Sequence, residues 1–184
     1  MKFTTKDVTI VAVFTAIMVI CSQISVPVPF SPVPITLSLF AVFLSSALLG
    51  WKRGTAVQAV YVLLGLCGAP VFQGFTGGMG RVLGPTGGYI ISYIFMAFVT
   101  GLLTEKNSAD GRLKTMGSML LGLVICYGFG TAWLMAFARL TAAKALAAAV
   151  LPFVPLDLVK IVTAAFAVRA LKSRLLRANL ILDR

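Results

Sequence analysis

Residues 8–50 read VTIVAVFTAIMVICSQISVPVPFSPVPITLSLFAVFLSSALLG, and this stretch decides the fold. An apolar run is followed by four prolines within eight residues (Pro27, Pro29, Pro32, Pro34), and then by a second apolar run. A helix that crosses a bilayer needs about 20 mostly apolar residues, so each run reads as one crossing and the proline segment as their connection. The first run follows Lys2 and Lys6, as a secretory signal would. No small-residue cleavage site comes after it, so it reads as a retained first transmembrane helix.

The rest of the chain repeats the pattern. It has 184 residues, 59% hydrophobic and 11% charged, with 16 Lys+Arg, 5 Asp+Glu and no His. Its mean hydropathy is +1.00. A soluble domain is usually about a quarter charged, so a water-soluble fold is excluded. Without His and with so few acids, the chain has little material for a metal site or for acid–base catalysis. No GxGxxG follows a strand and there is no GxxxxGK[ST], so nucleotide binding has no support. Cys21, Cys67 and Cys126 lie in apolar stretches without metal-ligand spacing and read as small buried hydrophobes.

Six spans result, at roughly 8–24, 34–50, 55–69, 87–104, 115–138 and 154–171. The Ala-rich segment 139–151 reads as an interfacial helix or an extension of span five. With the N-terminus inside, twelve of the sixteen Lys and Arg fall on the inner side, and only Arg81, Arg139, Lys144 and Lys160 fall outside. That bias places both termini in the cytoplasm. It also accounts for the net charge of +11 without a nucleic-acid partner. The expected fold is an all-α integral membrane protein: one transmembrane domain over 1–184, a compact bundle of six transmembrane helices in the lipid bilayer.

All eight prolines, and nine of seventeen glycines within 65–88, fall on the outer side. Irregular backbone at membrane depth is tolerated only where protein or a cavity covers it, so a built site is expected there. VPVPFSPVPIT, 26–36, is stiff and extended. It is either a rigid connector or a strap that closes over a ligand, and composition alone favours the connector. PVFQGFTGGMGRVLGPTGGY, 70–89, offers Phe72 and Phe75 as walls, Gln73, Thr76 and Thr86 as neutral hydrogen-bonding groups, and Arg81 as its one charge. Small-ligand pockets have that composition; the competing reading is a re-entrant loop that packs helices. Asp157 and Lys160 share a helix face near the outer end of span six. Ionisable groups within a span usually face the interior and pair. By default such a pair reads as functional, a carboxylate and an ammonium for a ligand with both an N–H donor and an anionic group; the competing reading is a helix cap with Lys160 snorkelling outward. Ala12 and Ala16, four apart, allow close approach of a helix, whether of this chain or of a partner. Gln23 lines the site or simply ends span one. Trp133 reads as a lipid-facing or core residue.

PVPFSPVPIT (27–36), LLGLCGAPVFQGFTGGMGRVLGPTGGYI (63–90) and PLDLVK (155–160) together resemble the BioY family, the biotin-specific S components of energy-coupling-factor (ECF) transporters. The resemblance implies an outer biotin pocket closed by the loop between spans one and two. It implies docking through Ala12 and Ala16 to a transmembrane coupling subunit (T component), with two ABC-type ATPases supplying the energy. It also implies a prokaryotic plasma-membrane protein that is not itself an enzyme and needs no cofactor. Given that resemblance, Asp157 is expected to accept from the ureido N–H groups of biotin, with Lys160 or Arg81 at the carboxylate. Alternatively, Lys160 pairs with Asp157 and leaves Arg81 alone there. Phe30, Phe72 and Phe75 would wall the thioether ring, and Gln73, Thr86 and Tyr89 would add neutral hydrogen bonds. The competing function is an autonomous secondary transporter for biotin or a related vitamin. Its usual inverted repeat is not visible, because strap and glycine loop do not recur after residue 110.

Overall fold

The structure is a computed structural model that describes residues 4–29, 31–106 and 111–177. Lys2, Phe30 and Arg184 lie outside the described residues.

Helix α1, Thr5–Gln23, starts at a reciprocal cap. The Asp7 N–H donates to Thr4 Oγ1 at 3.3 Å, and the Thr4 N–H donates to Asp7 Oδ2 at 2.9 Å. Two orphan donors of the first turn are thereby satisfied. The chain then pairs β1 (Ser25–Val26) with β2 (Ile35–Thr36), antiparallel, with Ser25 opposite Thr36. The ladder is this short because the strap between the strands carries four prolines, which cannot donate to it. Because Ile35 and Thr36 are taken up by this pairing, the next helix begins at Ser38, later than the expected start at Pro34.

That helix, α2 (Ser38–Leu66), is broken at Gly50, whose φ of 77° and ψ of 178° are not helical. In a straight helix Ser46 and Gly54 would be about 12 Å apart. Here a Cβ on Gly54 would lie 2.7 Å from Ser46 Cα, and Gln58 Nε2 donates to Ser45 Oγ at 3.1 Å. The arms 38–49 and 51–66 therefore run antiparallel, reversed within one residue that only glycine tolerates at low cost. Any side chain on Gly50 would also strike Glu105.

After the single turn α3 (Met79–Val82) come α4 (Gly87–Lys106) and α5 (Arg112–Ala138). Arg139, left-handed at φ 50°, ends α5. The Ala-rich segment is thus neither continuous with α5 nor part of α7. It forms its own short helix α6 (Ala142–Ala149), which meets α7 (Val154–Arg177) at a 51° bend. Among the described residues α1, α4 and α5 are each long and apolar enough to cross a membrane, and α6 with α7 makes a fourth candidate.

One core runs through the bundle, with Met18, Phe43, Val57, Met96, Met119, Leu134 and Ile161 all buried. The outer surface is apolar too: Val13, Phe95, Val124, Phe137 and Phe166 are exposed. Such a surface fits lipid rather than water. Of the cysteines, Cys126 is buried, Cys21 is half-buried and Cys67 is exposed, because Cys67 caps the C-terminus of α2 where the chain leaves the bundle.

The two ends of the bundle differ. At one end Arg53 pairs with Asp7 at 2.5 Å, and the Gly50 turn packs on Gly101 and Glu105 near the end of α4. Arg112, at the start of α5, stacks 4.5 Å over Phe166 of α7. At the other end lie the strap, the glycine loop and the cavity between them.

Candidate ligand-binding site

The cavity is lined from three sides. The strap and its exit supply Val33, Pro34, Thr36 and Ser38; the glycine loop supplies Gln73, Arg81 and Thr86; the helices supply Tyr61, Tyr89, Ile90 and Tyr93. The 26–36 segment is thus part of the wall and not only a connector.

Local structure explains how the loop reaches the cavity. Phe72 and Thr76 exchange backbone hydrogen bonds, Phe72 N–H to Thr76 O at 2.9 Å and Thr76 N–H to Phe72 O at 3.2 Å. The tight turn between them leaves Gln73 half-buried at the cavity and forces Phe75 to a left-handed φ of 55°. A bulky residue seldom adopts that conformation. On the far side of Arg81, Trp133 of α5 donates its indole N–H to Gly84 O at 3.0 Å. Trp133 therefore tethers the loop and is not merely a lipid-facing or core residue.

Of the residues expected to contact a ligand, Arg81, Gln73, Thr86 and Tyr89 line this one cavity. The Thr86 hydroxyl is buried and makes no hydrogen bond among the described residues. Tyr89 contributes its ring to the wall, while its hydroxyl lies 3.1 Å from Thr131 Oγ1 on α5. The phenylalanines are placed differently. Phe72 is buried behind the lining, edge-on to Tyr61 at 5.4 Å, against Gly65 where a side chain would collide with its ring. Phe75 is 74% exposed and faces away from the cavity, because its left-handed backbone turns the side chain outward.

Asp157 and Lys160 lie outside the residues that line the cavity. Asp157 is buried in the first turn of α7. Lys160 Nζ donates to its Oδ1 at 2.7 Å, and the Tyr127 hydroxyl donates to its Oδ2 at 2.5 Å. A carboxylate offers about four lone-pair positions, and these two contacts use two of them. Ala12 and Ala16 are both exposed on the outer face of α1, beside Val13 and Ile20.

Sequence reasoning did not select Tyr61 or Tyr93. The available signal was a phenol inside an otherwise apolar helix, with Tyr89 and Tyr93 four apart on one face.

A sequence model of the BioY family matches residues 1–177. The chain belongs to the BioY family. It is 44% identical over 160 residues to a biotin transporter BioY of Thermotoga maritima, covering 87% of this chain and 92% of that one. It is 42% identical over 159 residues to a probable biotin transporter BioY of Pyrococcus horikoshii, covering 86% and 91%. Its fold matches the 2.1 Å crystal structure of the S-component for biotin from an ECF-type ABC transporter. That match has a TM-score of 0.86 and 30% identity over 94% of this chain and 95% of the other. The helical bundle of this BioY family member is therefore that of an S-component, and its apolar helices make it a membrane protein.

Proposed function

We propose that this chain is the biotin-capturing S component of an ECF transporter. Membership of the BioY family supports it, and one observation carries it: the cavity combines one cation, Arg81, with neutral hydrogen-bonding groups and three phenol rings under a proline strap. Biotin has the matching parts, a carboxylate, a ureido group and an apolar thioether ring with its chain. Arg81 takes the carboxylate. Asp157 accepts from the ureido N–H groups with its two remaining positions, and Lys160 keeps that buried charge compensated. Gln73 and Thr86 add neutral hydrogen bonds, and the ring of Tyr89 walls the thioether. Phe72 supports that wall from behind Tyr61.

The chain crosses the plasma membrane of a prokaryotic cell six times: α1, the two arms of α2, α4, α5 and α7. The end bearing the Gly50 turn, Arg53 and Arg112 faces the cytoplasm, in keeping with the positive-inside bias. The Ala12–Ala16 face meets a T component, and two ATPases on that subunit supply the energy; this chain is not an enzyme.

The test is equilibrium binding of labelled biotin to the purified protein in detergent without partners. Saturable binding of one biotin per chain is expected. Folded protein that binds none, with or without the coupling subunits, would refute the reading.

A further inference from the structure

Gln23, the last residue of α1, makes a set of contacts that ending a helix does not require. Its Nε2 donates to the carbonyls of Val71 and Phe72, each at 3.1 Å, and its Oε1 accepts from the Phe75 N–H at 2.9 Å. The neighbouring Ser22 hydroxyl, buried, reaches Val71 O at 2.6 Å. These partners lie some 50 positions away in sequence and flank Gln73, which lines the cavity. They also include Phe75, held left-handed at φ 55°. Strained backbone of this kind persists only where its surroundings fix it, and it concentrates at ligand clamps. One primary amide satisfies two carbonyls and one N–H here, a combination that a carboxylate or an apolar side chain cannot reproduce.

We infer that Gln23 is a positioning residue for ligand retention. It is absent from the cavity lining and acts through the loop, fixing residues 71–75 so that Gln73 is presented to the ligand and the glycine segment stays closed over it. The inference rests on the biotin-capture reading. It predicts an effect chiefly on dissociation, since affinity differences within one site are mostly differences in koff.

The experiment measures biotin kon and koff on the purified full chain in detergent, with the unfolding temperature of the ligand-free protein as a parallel readout. Gln23→Met keeps the length and removes the three polar contacts to the loop, together with the 3.2 Å bond from Nε2 to Ser22 Oγ. It is expected to raise koff about 10-fold while kon stays within about twofold. Gln23→Glu keeps the acceptor for Phe75 N–H but sets a carboxylate against two carbonyls, and is expected to raise koff at least as much. A purely structural role would lower the unfolding temperature and leave koff unchanged, and that result overturns the inference. If Gln23→Met does not yield folded protein, Ser22→Ala decides: koff raised about threefold supports the clamp, and wild-type koff overturns it. Absence of binding by the wild-type chain would instead refute the biotin reading itself.

Discussion

Lys160 Nζ sits 2.7 Å from Asp157 Oδ1, one turn apart on α7, and both groups are held inside the bundle. Tyr127 approaches the other carboxylate oxygen from α5. The pair is thus complete in part without a ligand, which separates its contribution to folding from its contribution to binding. Removing one partner of a buried pair strands a charge and destabilises by about 3–5 kcal/mol. Lys160→Ala should therefore lower the unfolding temperature of ligand-free protein sharply. The double variant Asp157→Asn/Lys160→Met should recover most of that loss, because neither residue then carries a buried charge. Biotin affinity should not recover, because Asn offers the ureido N–H groups one neutral acceptor and an NH2 donor in place of a carboxylate. If the double variant regains both stability and affinity, the pair only braces the bundle and Asp157 does not touch biotin.

Arg81 is the one cation among the residues that line the cavity. Arg81→Ala should weaken biotin binding by on the order of 2–5 kcal/mol if the bound carboxylate is desolvated. The unfolding temperature of ligand-free protein should stay near wild type. Biotin methyl ester supplies the control. Wild type should bind the ester much more weakly than the acid, while Arg81→Ala should bind the two alike. Equal discrimination by both proteins would place the carboxylate elsewhere.

The general plan of the site was legible in the sequence, because prolines and glycines state backbone requirements directly. The strap 26–36 and the loop 70–89 do line one cavity, and Arg81, Gln73, Thr86 and Tyr89 converge there. Side-chain direction inside the glycine loop was not legible. A left-handed residue turns Phe75 outward, and the turn that precedes it buries Phe72 behind Tyr61; neither follows from residue type. Contacts between distant segments were equally hidden. The bonds from Gln23 to Val71 and Phe72 and from Trp133 to Gly84 join residues about 50 positions apart, a separation at which periodicity carries no information. Helix boundaries were legible where a breaker stood. Gly50 marked the reversal of α2, whereas the late start at Ser38 depended on strand pairing with Ser25 and Val26.

The exposed face of α1 makes a separate prediction. Ala12 and Ala16 touch no other helix closely enough to be buried, and Ile20 extends the same apolar stripe. Small residues here let a partner helix approach backbone to backbone. Ala12→Leu/Ala16→Leu should leave biotin binding in detergent unchanged, since the cavity is lined by other elements. Co-purification with the coupling subunit should be lost. Retained co-purification would move the docking surface off α1.

Thr86 offers the sharpest separation of apo stability from binding. Its hydroxyl is buried just before α4, the residue lines the cavity, and the hydroxyl has no hydrogen-bond partner among the described residues. A buried polar group left unpaired costs about 1–3 kcal/mol. Thr86→Val removes the hydroxyl and nearly keeps the shape, so ligand-free protein should be as stable as wild type or more so. If biotin supplies the missing partner, the same variant should bind it about 3- to 10-fold more weakly. The two effects then have opposite signs, which loss of packing cannot produce, since packing defects lower stability and affinity together. Unfolding temperatures without biotin, set beside Kd values for both proteins, decide the matter. A less stable variant with wild-type affinity would mean that Thr86 serves the fold and not the ligand.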